Sequence, residues 1–307
     1  MKYYYTILSR IIYVLFFVFI SGNVYAETIS ELNAAANNGN ARAQNNLGKH
    51  YIVGREVPQN YDIAFKWFKL AAEQGLPEAK HNLASCYKFG YGVSKNDELA
   101  FKWYLSAANS GYDESQLQIG LSYHLGNFGV EKNIKQALYW YLKSAEQGNV
   151  AAQAQLGMLY YVIGDYKNAI DWLEKSANKG NANAQYTLGC CYDYGRGTNH
   201  NSALAVSWYE KASEQGVTNA KVNLAFIYCD GNEVEKDLVK AFELFKSAAE
   251  SKNSSAMYML GLCYEHGAGC SPNMAKALYW YREAKNAGED KAIKKYNELY
   301  SKGYRIP

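Results

Sequence analysis

Ala184-Gln-Tyr-Thr-Leu188-Gly189-Cys-Cys-Tyr192-Asp-Tyr-Gly195-Arg-Gly197, followed by Asn201, Ala205, Trp208-Tyr209, Ala212 and Gly216, is one copy of a unit that most of the 307-residue chain writes again. With the first Ala as position zero, Leu falls at +4, Gly or Ala at +5, Tyr at +8 and Gly at +11. Asn or Asp follows at +17, Ala at +21, Trp-Tyr at +24/+25, Ala at +28 and Gly at +32. Full copies begin at Ala43, Ala79, Ser115, Ala152, Ala184, Ala220 and Ala256, with intervals of 36 residues apart from one of 37 and one of 32. A fixed period of this size announces a repeat architecture, in which each unit buries its apolar face only against its neighbours.

The Leu and Tyr four apart, as in Leu47/Tyr51, Leu156/Tyr160 and Leu260/Tyr264, lie on one stripe of a helix. The small residue at +5 is Gly in five copies and Ala84 or Ala225 in two. Gly costs about 1 kcal/mol inside a helix, so its recurrence there implies a neighbouring helix passing close by. Asn60, Asn96, Asn133, Asn201, Asp237 and Asn273 hold the N-cap register of a second helix. That helix carries a small Ala before an aromatic pair such as Trp103-Tyr104 or Trp280-Tyr281, and a glycine stops it. Two copies depart from the pattern. The fourth lacks about four residues between its helices, at Gly164-Asp165, and the sixth has Leu244-Phe245 for the aromatic pair and Lys252 for the stop glycine. At the ends, Thr28 and Glu31 have the spacing of a capping box ahead of a lone second helix, and Ala292 to Tyr300 reads as a lone first helix. The expected fold class is all-α: an α-solenoid of antiparallel helix pairs, about seven repeats of roughly 36 residues with half-repeat caps.

These residues resemble the Sel-one-like repeat family, a relative of the tetratricopeptide repeats with a longer, glycine-rich turn. The resemblance runs from residue 28 to residue 300. It implies a right-handed superhelix and a non-enzymatic adaptor that binds a protein or peptide on its concave side, without a cofactor. It also implies the settings in which bacterial members occur: host-cell entry, signalling complexes, and periplasmic immunity proteins that neutralise a toxic effector. The repeat residues themselves are structural and select none of these roles.

The first 26 residues read as a signal peptide. Lys2 and Arg10 are basic, Ile11 to Ile20 is apolar, and Val24-Tyr-Ala26 makes a small-x-small cleavage site. The expected organisation is a signal peptide at 1–26, a solenoid at 27–302 and a short tail at 303–307, with the mature chain exported to the periplasm or secreted. After residue 27 no apolar run is long enough to span a bilayer, so stable membrane insertion is not expected. The formal charge of +3 becomes +1 once Lys2 and Arg10 are removed, which gives no electrostatic reason to expect nucleic acid as partner.

A candidate binding surface follows from helix geometry. On the first helix, the stripe opposite the core runs through +2, +6 and +9. It is polar in the first two copies (Asn45, Lys49, His81, Ser85, Lys88) and apolar or aromatic from the third onward. The apolar set is Leu117 and Leu121, Met158 and Tyr161, Tyr186 and Cys190, Val222 and Phe226, and Tyr258 and Leu262. Two readings stay open: a groove for a partner, with Tyr186, Phe226 and Tyr258 as its anchors, or side chains packed against one another inside a tightly wound coil.

Other chemistry is sparse. Ser176-Ala-Asn-Lys179 has the S-x-x-K spacing of serine β-lactamases and penicillin-binding enzymes, the basis of an alternative reading as a cell-wall-related or β-lactam-binding hydrolase. Ser176 also fits a small core slot, and Lys179 suits a helix C-terminus. The five histidines are scattered without metal-ligand spacing, so no metal is expected. Six cysteines in an exported chain permit disulfides. Cys86, Cys191 and Cys263 share the semi-buried +7 register, where a thiol packs as a small hydrophobe. Cys263–Cys270 and Cys190–Cys229 are the pairs that spacing leaves open.

Overall fold

The computed structural model describes residues 28–305, so the signal-peptide stretch lies outside the described residues. Those residues form sixteen α-helices. They fall into two compact units, divided after Gln147. The first unit holds α1 (Ile29–Asn37), α2 (Ala41–Val53), α3 (Tyr61–Glu73), α4 (Pro77–Phe89), α5 (Asp97–Asn109), α6 (Asp113–Leu125) and α7 (Ile134–Glu146). The second holds α8 (Val150–Ile163), α9 (Tyr166–Asn178), α10 (Ala182–Tyr194), α11 (Ser202–Glu214), α12 (Thr218–Asp230), α13 (Leu238–Glu250), α14 (Ser254–His266), α15 (Met274–Asn286) and α16 (Asp290–Ser301). Within each unit every helix packs against the next in the chain, the arrangement of an α-solenoid.

The start signals act where the spacing puts them. Thr28 and Glu31 close a capping box on α1. Asn201 Oδ1 accepts from Leu204 N at 2.9 Å, and Asn60, Asn96, Asn133, Asp237 and Asn273 cap their helices in the same way. These bonds satisfy N–H groups that a helix start leaves without a partner. The stop glycines follow the second helices in the left-handed region, Gly216 with φ 86°. Where the sixth copy lacks the glycine, Lys252 adopts φ 63° instead.

The close approach inferred at +5 is present. A Cβ on Gly189 would lie 2.6 Å from Cδ1 of Tyr209, and one on Gly120 2.4 Å from Cδ1 of Tyr141. The second aromatic of each pair is therefore the core residue: Tyr104, Tyr141, Tyr209 and Tyr281 are buried, while Trp103, Trp208 and Trp280 are half-buried. The glycine-rich turn forms a second joint. Gly197 lies against the backbone of Tyr166, at the start of the preceding copy's second helix, too close to admit a Cβ. Gly92 on Tyr61 and Gly269 on Leu238 repeat that contact. In the fourth copy the long turn is gone, and only Gly164 and Asp165 separate α8 from α9.

Candidate functional site

The second unit contains a cleft of about 330 Å³ between the first helices of three successive copies. Met158, Tyr161 and Val162 of α8 form one wall, and Tyr186, Thr187, Cys190 and Tyr194 of α10 form the other. Asn223 of α12 closes the end. In repeat offsets these are +6, +9 and +10, then +2, +3, +6 and +10, then +3. The volume lies at the small end of the range for ligand clefts, roughly 300–1,000 Å³.

The floor is a network of polar groups engaged with one another. Tyr209, buried behind Gly189, sends its hydroxyl toward Asp193 Oδ2 at 3.1 Å and Cys190 Sγ at 3.4 Å. Asn223 Nδ2 donates to the Tyr209 hydroxyl at 3.0 Å, and the Thr187 hydroxyl donates to the Asn183 carbonyl at 2.8 Å. The rings of Tyr186 and Tyr209 lie 5.9 Å apart. Burial raises the Cys190 thiol and the Asp193 carboxyl above their ordinary ranges, and raises the phenols of Tyr186 and Tyr209. A thiol raised in this way is a poor nucleophile.

The rim is different. Arg196 sits between Gly195 and Gly197, so the joint that seats the turn on Tyr166 also aims the guanidinium back toward the preceding copy. Its Nη1 donates to the Tyr161 hydroxyl at 2.6 Å. Its Cζ stands 5.3 Å from the ring centres of Tyr161 and Tyr194 and 5.8 Å from that of Tyr166. Three phenol faces thus hold one cation at the mouth.

Of the stripe residues expected to line a groove, Met158, Tyr161 and Tyr186 come together here with Cys190. Leu117 and Leu121 are half-buried in the first unit. Val222 is buried, and Asn223, one position on, reaches the cleft in its place. Phe226 is 39% exposed and lies edge-on to Phe245. Tyr258 and Leu262 are half-buried against the cluster around Tyr281. The sequence reading missed the +3 and +10 positions and Arg196; an Arg between two turn glycines was the available signal.

In the first unit the polar stripe is hydrogen-bonded to polar side chains of the adjacent copy. Asn82 Nδ2 donates to Asn45 Oδ1 at 2.8 Å, His81 Nδ1 meets Ser115 Oγ at 2.8 Å, and Lys88 Nζ donates to Gln118 Oε1 at 3.2 Å. Burial, with the nearby Lys88 and Lys49, holds the His81 imidazole down to about 3, and burial lowers the Lys88 ammonium to about 8.

Ser176 and Lys179 bond to backbone: the buried hydroxyl donates to the Val150 carbonyl at 2.8 Å and the ammonium to the Gly148 carbonyl at 3.2 Å. Among the described residues no three His, Cys, Asp or Glu side chains are grouped to hold a metal, and no helix is long and apolar enough to cross a membrane. All six cysteines are free thiols, with Cys270 Sγ 3.5 Å from the Cys263 carbonyl. Cys190 faces Tyr209 and Asn223 and belongs to the core cluster that also holds Cys263, with Cys229 and Cys270 packed against it.

Comparison with known proteins gives a consistent family. The family model described as the Sel1 repeat matches seven consecutive stretches: residues 41–76, 77–112, 113–149, 150–181, 182–217, 218–253 and 254–289. Each stretch holds one helix pair. A protective antigen present in uropathogenic Escherichia coli strains, displaying an SLR fold, is 32% identical with a TM-score of 0.81. The match covers 90% of this chain and 60% of that one, so this chain spans less than two thirds of the antigen's length. A Sel1 repeat protein from Oxalobacter formigenes is 28% identical with a TM-score of 0.69, covering 88% of this chain and 79% of that one. No curated protein matches the chain.

Proposed function

The chain belongs to the Sel1 repeat family, and from that premise we propose that it is an exported, non-enzymatic scaffold holding a protein or peptide partner against the first helices of its second unit. Sel1 repeat proteins are protein-interaction scaffolds, and the cleft between α8, α10 and α12 is the observation that carries the reading here. Its walls combine thioether and phenol side chains, its floor polar groups are engaged with one another, and two rim side chains stand in solvent: Val162 at 77% and Tyr194 at 58% exposure. Half-buried aromatic walls with exposed large apolar side chains beside them are the mark of an interaction surface. Export rests on the basic, apolar and small-x-small order of the first 26 residues. That the Escherichia coli relative is a protective antigen supports it.

The test is site-specific photo-crosslinking in the native envelope, with the photoreactive residue at Tyr194 and, as control, at the exposed Lys211 on the second helix. The expected result is a discrete adduct from Tyr194 that weakens on Tyr186→Ala while far-UV circular dichroism is unchanged. Equal adducts from both sites, or loss of helicity in Tyr186→Ala, would remove the groove and leave Tyr186 as a core residue.

A further inference from the structure

Arg196 is an exposed cation of the second unit that stands within reach of three phenol rings. Its electrostatic surroundings are the phenols of Tyr161, Tyr166 and Tyr194, and its guanidinium donates to the Tyr161 hydroxyl. A guanidinium has five N–H donors in a planar fork, and its strong partners are ionised oxygens. The phenol faces of Tyr161, Tyr166 and Tyr194 hold it at the mouth of the cleft, so the fork is pre-organised.

We propose, building on the scaffold reading above, that this cleft recognises an acidic peptide segment, taking a bulky apolar side chain between Met158 and Tyr186 and a neighbouring Asp or Glu carboxylate on Arg196. The chemistry selects among guests. A cationic group is excluded because the aromatic box is already filled by the protein's own cation. A dianionic phosphate finds no cation among the lining residues and one guanidinium beside them, on Tyr161 and Tyr194, whereas a monoanionic carboxylate matches that single charge. The apolar half of the guest follows from the floor, where Thr187 and Asn223 donate within the protein. A cleft of 330 Å³ holds one large side chain and its flanking backbone rather than a long segment. Arg196 also bridges two copies, from the turn of the fifth to the first helix of the fourth, so the carboxylate would sit where the short fourth turn ends.

The experiment titrates the full chain with four blocked, fluorescently labelled peptides that differ at one position: acetyl-Gly-Trp-X-Gly-amide, with X as Glu, Gln, Lys or phosphoserine. Fluorescence polarisation should give the Glu peptide about tenfold tighter binding than Gln, the factor for one charge-assisted bond, with Lys weaker still. Arg196→Gln should erase the Glu-over-Gln preference, and Tyr186→Ala should weaken both peptides. Equal binding of Glu and Gln, or a preference that survives Arg196→Gln, overturns the carboxylate assignment while leaving the scaffold reading to the crosslinking result. Tighter binding of the phosphoserine peptide, or no binding of any peptide, overturns it as well.

Discussion

Replacing Gly189 by Ala sets two effects against each other. In a helix interior the change alone should stabilise, because Ala is favoured over Gly by about 1 kcal/mol. In this protein the added methyl meets the ring of Tyr209, with Cδ1 and Cε1 both 2.6 Å from an ideal Cβ. Normal carbon contact is roughly 3.5–4.0 Å, so the ring must retreat by about 1 Å. It has little freedom to do so. Tyr209 is fully buried, and its hydroxyl is tied to Asp193, Cys190 and Asn223. Overpacking a core costs about 1–3 kcal/mol, which exceeds or cancels the propensity gain, for a net loss of up to about 2 kcal/mol. Over a unit of this size that lowers the melting midpoint by up to about 8 °C. Repeat arrays need not unfold in one step, so the midpoint from circular dichroism should be paired with amide exchange in α10 and α11, where protection should fall first. Ala84 supplies the comparison, since it shares a cluster with Tyr104 and both are buried. Ala84→Gly should therefore also destabilise, through lost packing and poorer helix propensity. If Gly189→Ala raises the midpoint by the propensity term alone, the close approach is not why the residue is small.

The other expectations are more local. Asn201→Ala should cost about 1 kcal/mol by removing the cap on Leu204 N, and Asn201→Ser should recover most of it, both read from denaturation midpoints. Folded His81 stays neutral down to about pH 3, whereas an unfolded His takes a proton near 6.5. Its contribution is therefore intact above pH 6.5 and lost as pH falls from there toward 3, and His81→Gln should flatten that part of the stability curve. Burial pushes the Cys86, Cys191 and Cys263 thiols up to about 12, so iodoacetamide at about pH 8 should label Cys229 and Cys270 first, as read by peptide mass spectrometry. Omitting reductant during purification distinguishes free Cys263 and Cys270 from a linked pair, which would resist the label together.

The amino-acid order alone carried the helix-pair unit, its caps and its small-against-large joinery. In a repeat array each contact lies at a fixed offset along the chain, so periodicity records it directly. The Asn caps act within three residues of themselves, and the +5 glycine faces the second residue of the aromatic pair twenty positions on at Gly48, Gly189 and Gly261. Only the tertiary structure decided which side chains of the stripe stay open. Val222 turns into the core while Asn223 turns out, because exposure depends on how each first helix is rotated against the next copy, a quantity that no single helix's period contains. It likewise decided that Tyr209 rather than Trp208 fills the core, and that Val162 and Tyr194 reach the cleft mouth. Arg196 is the sharpest case. Its partner Tyr161 is 35 residues away, and the contact exists because the glycine turn lands on the preceding copy beside the shortened fourth turn.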